Sequence, residues 1–301
     1  MQSNQARKHH NKDGLTALLF LIPAILVLGI FSFYPIGSVL RLSLFKWDNL
    51  SPEKTFIFLD NFKSLFANAR FWNSLKITFI YTIVVTALSI VIGLVLAVFL
   101  NNKFFVGKNF WRGIFFLPVI TPTVAAAMVW LLLFNPGFGI VNILLRRFGV
   151  NNINWLADTK WALPTVISLG VWRRLGFTLI LYLAAMQAIP EDYYESASLD
   201  GANGIRKFFS ITVPLLRSTS IMLVILGIID SFLVFDPVMV LTRGGPANST
   251  EVIGMFMYFT SFQQFKMGYG AAISVVILLI IVVLTLLQWR FVGFGSAEGE
   301  E

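Results

Sequence analysis

The alternation of apolar and polar segments divides the chain into six apolar blocks. Each block is about 20 residues long, the length that an α-helix needs to cross the hydrocarbon core of a bilayer. The sequence therefore predicts an all-α membrane protein with six transmembrane helices in a membrane domain at 15–292. The predicted spans are 15–34, 77–100, 113–134, 162–186, 221–241 and 269–289.

The two ends of the chain are polar, which predicts short tails at 1–14 and 293–301. Basic residues precede the first apolar block, as they do in a signal peptide. The block contains no small-residue cleavage site, so we expect a retained helix. Lys and Arg residues divide almost evenly between the two sets of loops, so the excess of positive charge that marks cytoplasmic loops does not decide the orientation.

Composition supports a membrane protein and excludes several kinds of chemistry. Apolar residues make up 57% of the chain and charged residues 13%, against about 45–50% and about 25% in soluble domains. Cysteine is absent, and the only histidines are His9 and His10 in the N-terminal tail. We therefore expect no disulfide, no metal site and no catalytic residues in this chain. The net charge of +8 is spread over short loops, where anionic lipid headgroups are the expected counter-charge. We therefore expect no nucleic-acid partner.

The loop at 187–217, between the fourth and fifth blocks, is longer than a simple turn. Pro190 followed by two acidic residues is typical of a helix start. Gly201 and Gly204 suit a turn, because glycine adopts backbone conformations that other residues resist. An aromatic segment and Pro214 then lead into the fifth block. The pattern predicts a short helix, a turn and a second short helix.

This loop resembles the cytoplasmic coupling loop of ABC importer permeases. The matching residues are Glu195-Ser-Ala197, then Gly201, then nine residues to Ile211-Thr-Val-Pro214, where the family has Glu-Ala-Ala and Ile-x-Leu-Pro. The flanking Leu199-Asp-Gly-Ala202 resembles the carbohydrate-uptake branch. The segment Phe235 to Thr250 resembles the outer loop of permeases for oligosaccharides and glycerol 3-phosphate. The chain is identified on these residues as a six-span member of that branch.

The resemblance implies the type I ABC importer permease fold, with both termini in the cytoplasm of a prokaryote and the chain in its plasma (inner) membrane. It also implies the partners: a second permease subunit, two ATP-binding subunits and an extracytoplasmic substrate-binding protein. The chain contains no Gly-x-x-x-x-Gly-Lys-Ser/Thr loop, so ATP and Mg are expected on the partner subunits only. The residues expected to contact the ATPase are Tyr193, Tyr194, Glu195, Ala197, Leu199, Asp200 and Gly201.

Charged residues inside two predicted spans point to a polar pathway, because such residues usually face a cavity or a partner charge. The fourth span carries Arg173 and Arg174, with Phe177 one turn further on. In the fifth span, helical spacing places four residues in one stripe: Gly227, Asp230, Ser231 and Val234. The resemblance to maltose-type permeases assigns cargo contact to these seven residues. An arginine–aspartate pair that only joins the two spans remains an alternative.

Two other classes of protein stay open on the sequence alone. A membrane-embedded enzyme of lipid-linked glycosyl transfer needs acidic residues at one interface, and acidic residues do cluster at 191, 192, 195 and 200. A secondary transporter is expected to contain internal repeats and discontinuous helices, which the sequence does not display. For the importer, the cargo is open among disaccharides, longer oligosaccharides, glycerol-linked sugars and glycerol 3-phosphate.

Overall fold

The computed structural model describes residues 19–102 and 106–292, and most of these are helical. The predicted tails at 1–14 and 293–301 and the first residues of the first predicted span lie outside the described residues. The chain forms two compact units. One unit runs to Ala67 and resumes over Thr260–Val276, and the other comprises Asn68–Phe259 and resumes at Ile277.

The first unit begins with helix α1, Leu19–Leu42, which contains a π-helical turn at Gly29–Phe33. None of the residues in its most apolar stretch is buried. A short hairpin follows, with β1 (Phe45–Lys46) antiparallel to β2 (Thr55–Phe56). Helix α2, Asp60–Phe66, packs under the hairpin. The buried Asn61 amide donates to the carbonyl oxygens of Ser43 at 2.8 Å and Phe45 at 3.0 Å, which ties α2 to the hairpin.

The second unit is helical, and its long apolar helices are joined by shorter ones. In chain order they are α3 (Ala69–Asn101), α4 (Lys108–Ile120), α5 (Thr123–Leu133), α6 (Ile140–Arg147), α7 (Ala162–Gln187), α8 (Glu191–Leu199), α9 (Gly204–Leu215), α10 (Arg217–Phe232), α11 (Asp236–Leu241) and α12 (Ile253–Tyr258). A last helix, α13 (Met267–Val292), ends the described chain. Helix α3 packs against both α7 and α10, and α7 packs against α4.

A stripe of small residues on α3 permits this close packing. The stripe consists of Ser74, Thr78, Thr82, Thr86, Ser89, Gly93 and Ala97, and all seven are buried. A Cβ atom added to Gly93 would lie 2.7 Å from the Thr178 methyl group, so α3 and α7 approach as closely as glycine allows. Small residues at helical spacing are the usual means of helix association within a bilayer.

The third predicted span, 113–134, is wrong as a single helix. Helices α4 and α5 meet at an angle of 103°. Pro122 disfavours helical backbone at the residue before it, and Thr121 is extended, with φ −80° and ψ 126°. Pro118, one turn earlier, is accommodated within α4.

The fifth predicted span, 221–241, is also interrupted. Helix α10 ends at Phe232, and α11 begins at Asp236. Pro237 has no N–H to donate to the carbonyl of Leu233, which prevents a continuous helix. At its other end α10 starts earlier than predicted, at Arg217, and meets α9 at 62°.

Four helices of the described residues are long and apolar enough to cross a membrane, and the number rises to six if each bent pair is one span. The predicted segments 77–100 and 162–186 lie within α3 and α7, and 269–289 lies within α13. The prediction of six spans corresponds to the higher of these numbers.

Two apolar cores lie toward opposite ends of α3 and α7. One contains Ile77, Val85 and Val166, together with Val238 from α11. The other contains Leu100, Tyr182, Leu216 and Leu223. The layer between the two cores is polar, with Thr86 and Arg174 buried there.

An ion pair between the partly exposed Arg70 and the buried Glu251 fixes the segment between α11 and α12 to the start of α3. Arg70 Nε and Nη2 donate to the two carboxylate oxygens of Glu251 at 2.7 and 2.6 Å. Ser74 also donates to Glu251 at 3.2 Å, and the Ile253 amide donates to the Thr78 hydroxyl at 2.8 Å. The Glu251 side chain is 1% exposed, so its charge depends on Arg70 for compensation.

Arg70→Met is expected to destabilise the second unit strongly, because it leaves the buried Glu251 carboxylate without a counter-charge. The expected loss is about 3 kcal/mol, the low end for a broken buried pair. Lys63→Met is the matched control, since the Lys63–Asp60 pair is exposed on both sides and is worth about 1 kcal/mol or less. Thermal unfolding in detergent compares the two variants, and equal losses would contradict the assignment.

Candidate functional site

A cavity of about 540 Å³ opens in the second unit, at the level of the polar layer. Its walls come from α3, α4, α5, α7, α10 and α11. The lining residues are Tyr81, Val85, Val119, Thr123, Gly170, Arg173, Arg174, Phe177, Asp230, Ser231, Leu233, Val234, Phe235, Asp236 and Pro237. Six of the seven residues predicted from the sequence for a substrate pathway therefore lie in one cavity; whether cargo contacts them stays a prediction.

An ion pair between α7 and α10 forms part of the cavity wall. Arg174 Nη1 donates to Asp230 Oδ2 at 2.7 Å, and Arg174 Nη2 donates to the Leu223 carbonyl at 2.9 Å. The Arg174 side chain is buried, whereas the Asp230 side chain is 67% exposed. Arg174 therefore joins the helices, as the alternative reading of the sequence expected, while Asp230 still presents a carboxylate to the cavity.

Arg173 and Phe177 lie on the open side of the same helix. Arg173 lines the cavity, and its buried Nε has no hydrogen-bond partner among the described residues. Phe177 lies one turn away and is partly exposed. Trp172, the other ring near this site, instead packs against Trp130 with ring centroids 4.8 Å apart. The cavity thus combines a cationic group, a carboxylate and an accessible aromatic face.

Gly227 does not line the cavity, contrary to the expectation for that residue. It is buried within α10. An added Cβ would lie 2.6 Å from the Thr86 methyl group and 3.2 Å from Arg174 Nη2. Gly227 therefore provides close packing of α10 on α3, next to the Arg174–Asp230 pair.

Helix breaks place further residues at the cavity that the sequence pattern did not single out. The break between α4 and α5 brings Val119 and Thr123 to the wall, and the break between α10 and α11 brings Phe235 and Asp236. The hydropathy pattern alone did not indicate either break, because the sequence is apolar on both sides. Pro122 and Pro237 are the sequence features that could have indicated them. Tyr81 was also missed, although it lies on the side of α3 that carries the stripe of small residues.

The loop at 187–217 folds as two helices joined by a tight turn. Helix α8 ends in a Schellman motif, in which the Gly201 amide donates to Ser198 at 3.0 Å and the Ala202 amide donates to Ala197 at 2.9 Å. Gly201 has φ +75°, which glycine adopts without strain. Gly204 instead begins α9, with Asn203 as its N-cap. The predicted helix, turn and helix are therefore present in the fold.

The residues predicted for ATPase contact divide into two groups. Tyr193, Glu195, Leu199, Asp200 and Gly201 are exposed. Tyr194 and Ala197 are half-buried, and the Tyr194 hydroxyl lies 3.0 Å from the Thr212 hydroxyl. Tyr194 thus connects α8 to α9 within the loop, and a second connection runs from Lys207 Nζ to the Ser198 hydroxyl.

Exposed apolar side chains distinguish this loop from an ordinary surface connector. Leu199 is 90% exposed, and Ile205 and Phe209 are also exposed. An open cleft of about 870 Å³ lies on the inner side of α8, lined in part by Glu191, Glu195 and Phe208. The loop therefore presents apolar groups on a hydrogen-bonded frame.

The described residues contain no group of three or more His, Cys, Asp or Glu residues that could hold a metal ion.

Comparison with known proteins identifies the family. The model for "Binding-protein-dependent transport system inner membrane component" matches residues 89–292. The chain belongs to this family. It is therefore a multi-pass inner-membrane permease of a binding-protein-dependent transport system.

Full-length relatives agree with the family assignment. The probable ABC transporter permease protein YurN of Bacillus subtilis is 37% identical over 96% of this chain and 99% of its own length. The sn-glycerol-3-phosphate transport system permease protein UgpA of Agrobacterium fabrum is 33% identical over 91% and 93%. The trehalose/maltose transport system permease protein MalF of Thermococcus litoralis is 32% identical over 96% and 98%. These relatives are ABC transporter permeases rather than enzymes.

The fold also matches a solved transporter. A chain of the bacterial alginate ABC transporter, solved in complex with alginate pentasaccharide-bound periplasmic protein, has a TM-score of 0.82 to this permease. The two are 24% identical, and the match covers 96% of the permease and 99% of that chain. The fold is that of a type I ABC importer permease, as the sequence predicted.

Proposed function

We propose that this permease forms part of the pathway through which a sugar or sugar derivative enters the cell. The cavity carries the proposal, because it combines Arg173, Asp230 and Ser231 as hydrogen-bonding groups with the accessible ring of Phe177. Hydroxyl-rich cargo needs donors and acceptors for its hydroxyl groups and an aromatic face for its apolar ring surface. The trehalose/maltose permease among the relatives supports the same class of cargo.

The driving force comes from partner subunits. Two ATP-binding subunits, which hold ATP and Mg, dock on the loop at 187–217 and transmit their closure to the membrane helices. The exposed Tyr193, Leu199 and Phe209 on this loop support such a contact. Because the loop meets a cytoplasmic ATPase, both chain termini lie in the cytoplasm and the opposite face receives the substrate-binding protein.

A second permease subunit completes the pathway. The cavity is open rather than enclosed by this chain, so a single copy does not seal its cargo from the bilayer. Helix α1 is apolar, and none of the residues in its most apolar stretch is buried. Its surface is therefore available to pack on another subunit.

Purification of the detergent-solubilised permease from its native membrane tests the assembly. We expect an ATPase subunit, a second permease and a substrate-binding protein to accompany it, with identities established by mass. Recovery of the permease alone, under conditions that preserve a known importer, would contradict the proposed assembly.

Asp230→Ala is expected to reduce uptake about tenfold, because it removes the cavity carboxylate and a charged hydrogen bond is worth about 1.5–3 kcal/mol. Asp60→Ala is the matched control, since Asp60 is a similarly exposed aspartate in an ion pair and is not among the residues that line the cavity. KM for uptake and the melting temperature are measured together. Lower melting is expected in either case, because the buried Arg174 loses its counter-charge. A higher KM than in Asp60→Ala supports cargo contact, whereas lower melting with unchanged KM supports the purely structural pairing with Arg174.

A further inference from the structure

The hydroxyl of one buried tyrosine at the cavity has no hydrogen-bond partner among the residues that the structure describes. Tyr81, on α3, is 3% exposed and lines the cavity. Its hydroxyl makes no hydrogen bond with any of the residues that the structure describes. Tyr182, on α7, is equally buried, but its hydroxyl donates to Ser220 at 2.9 Å. The two tyrosines therefore differ in whether the hydroxyl has a hydrogen-bond partner among the described residues.

A buried tyrosine whose hydroxyl has no internal hydrogen-bond partner is unusual. Buried tyrosine hydroxyls normally have a hydrogen-bond partner, and most buried polar side-chain atoms in proteins do as well. The hydroxyls of Thr82 and Thr86 on the same helix also have no partner, but they are sealed within the packing. The Tyr81 hydroxyl differs from them because its side chain borders open space.

Gly170 explains how the phenol reaches the cavity. A Cβ atom at position 170 would overlap the Tyr81 hydroxyl oxygen. The ring therefore crosses from α3 over the backbone of α7, and only glycine leaves room for it. Tyr81 thus belongs to the same lining as Arg173 and Asp230.

The charged groups of the cavity indicate what the phenol would meet. Two arginines, Arg173 and Arg174, face two aspartates, Asp230 and Asp236, so their formal charges cancel. The lining contributed by this chain thus has no excess positive charge for a phosphate group. A phenol both donates and accepts hydrogen bonds, as does a sugar hydroxyl.

We propose that Tyr81 is a cargo-binding residue, whose hydroxyl exchanges a hydrogen bond with a hydroxyl group of an uncharged saccharide in the cavity. This inference rests on the proposed function, because it requires the cavity to lie on the transport pathway. It adds a contact from α3 to those expected from α7 and α10, and it favours neutral saccharides over phosphate esters such as glycerol 3-phosphate.

Tyr81→Phe tests the inference in membrane vesicles that contain the complete importer. The change keeps the ring and removes only the hydroxyl. Radiolabelled maltose, trehalose, maltotriose, alginate pentasaccharide and glycerol 3-phosphate serve as probes. For the neutral probe that the wild type accumulates, we expect KM to rise about 3- to 10-fold, the equivalent of one net hydrogen bond. Tyr182→Phe is the matched control, with lower thermal stability but unchanged KM.

Analogues of that probe that lack a single hydroxyl identify the contact. One of them should lose affinity in the wild type but show no further loss in Tyr81→Phe, because the variant and the analogue remove the same hydrogen bond. The melting temperature of Tyr81→Phe should equal or exceed that of the wild type, since no hydrogen bond within the protein is lost.

The outcomes separate the inference from the proposed function. Uptake of a neutral probe by the wild type with an unchanged KM in Tyr81→Phe overturns the role of Tyr81 and leaves the function standing. Accumulation of glycerol 3-phosphate or of the acidic alginate pentasaccharide in preference to every neutral probe overturns the proposed charge selectivity. No ATP-dependent uptake of any probe contradicts the proposed cargo class itself, and the inference with it.

Discussion

Leu199→Lys is expected to abolish ATP-driven uptake while the permease remains folded in the membrane. Leu199 is 90% exposed at the end of α8, so its replacement removes no packing within the chain. A lysine at the C-terminal end of a helix is favourable for the helix itself. Burying its unpaired charge against an ATPase subunit would cost about 2–5 kcal/mol. Since about 1.4 kcal/mol corresponds to a tenfold change, association should weaken at least tenfold.

Uptake by vesicles and recovery of the ATPase with the tagged permease measure this effect. Leu199→Met is the matched control, because it retains an apolar side chain of similar size, and we expect nearly wild-type uptake. If Leu199→Lys retains both wild-type uptake and the ATPase, then this end of α8 does not contact the ATPase. Loss of the permease from the membrane would instead show that Leu199 acts in folding.

Gly176→Ala should disrupt the contact between α4 and α7. Gly176 is buried in α7, and a Cβ atom there would overlap the carbonyl oxygen of Phe115 in α4. The obstructing atom belongs to the backbone, so the whole of α4 must move to make room. Overpacking of this kind typically costs about 1–3 kcal/mol, and we expect about 3 kcal/mol because no side chain can rotate away.

Gly113→Ala is the control within α4 itself. No atom lies within 4 Å of a Cβ added at Gly113. Alanine there should leave stability unchanged or raise it by up to about 1 kcal/mol, because glycine is a poor residue for a helix interior. Thermal unfolding of the detergent-solubilised variants, with the amount of protein in the membrane, measures both changes. Similar melting temperatures for the two variants would contradict the close approach of α4 and α7.

The predicted spans coincide with single helices where a helix is continuous. The long, mostly apolar segments of α3, α7 and α13 can be recognised in the sequence, because about 20 mostly apolar residues in succession are typical of a helix that spans a bilayer. The segment 113–134 is equally apolar, but Pro122 ends α4 and turns the chain by 103°. Hydropathy indicates whether a segment prefers an apolar or an aqueous environment, but it contains no information about the direction of the backbone.

The prediction of the cavity residues depended on the cost of charge within a bilayer. Arg173, Arg174 and Asp230 stood out because charged side chains inside spans need a cavity or a partner. Tyr81 did not stand out, since tyrosine is common in apolar helices and only the absence of an internal partner distinguishes it. Gly227 was predicted at the cavity, yet this part of α10 packs against Thr86 of α3.

The sequence by itself determined the apolar spans, the helix, turn and helix at 187–217, and the family, because these depend on composition and on residues close together in the chain. The tertiary structure alone decided which charges meet. Arg174 pairs with Asp230 across 56 positions of sequence, and Arg70 pairs with Glu251 across 181. Helical spacing places side chains on a face of one helix, whereas the partner of that face depends on how the helices pack. For the same reason only the fold shows Tyr81 at the cavity, with no partner for its hydroxyl in the described part of the chain.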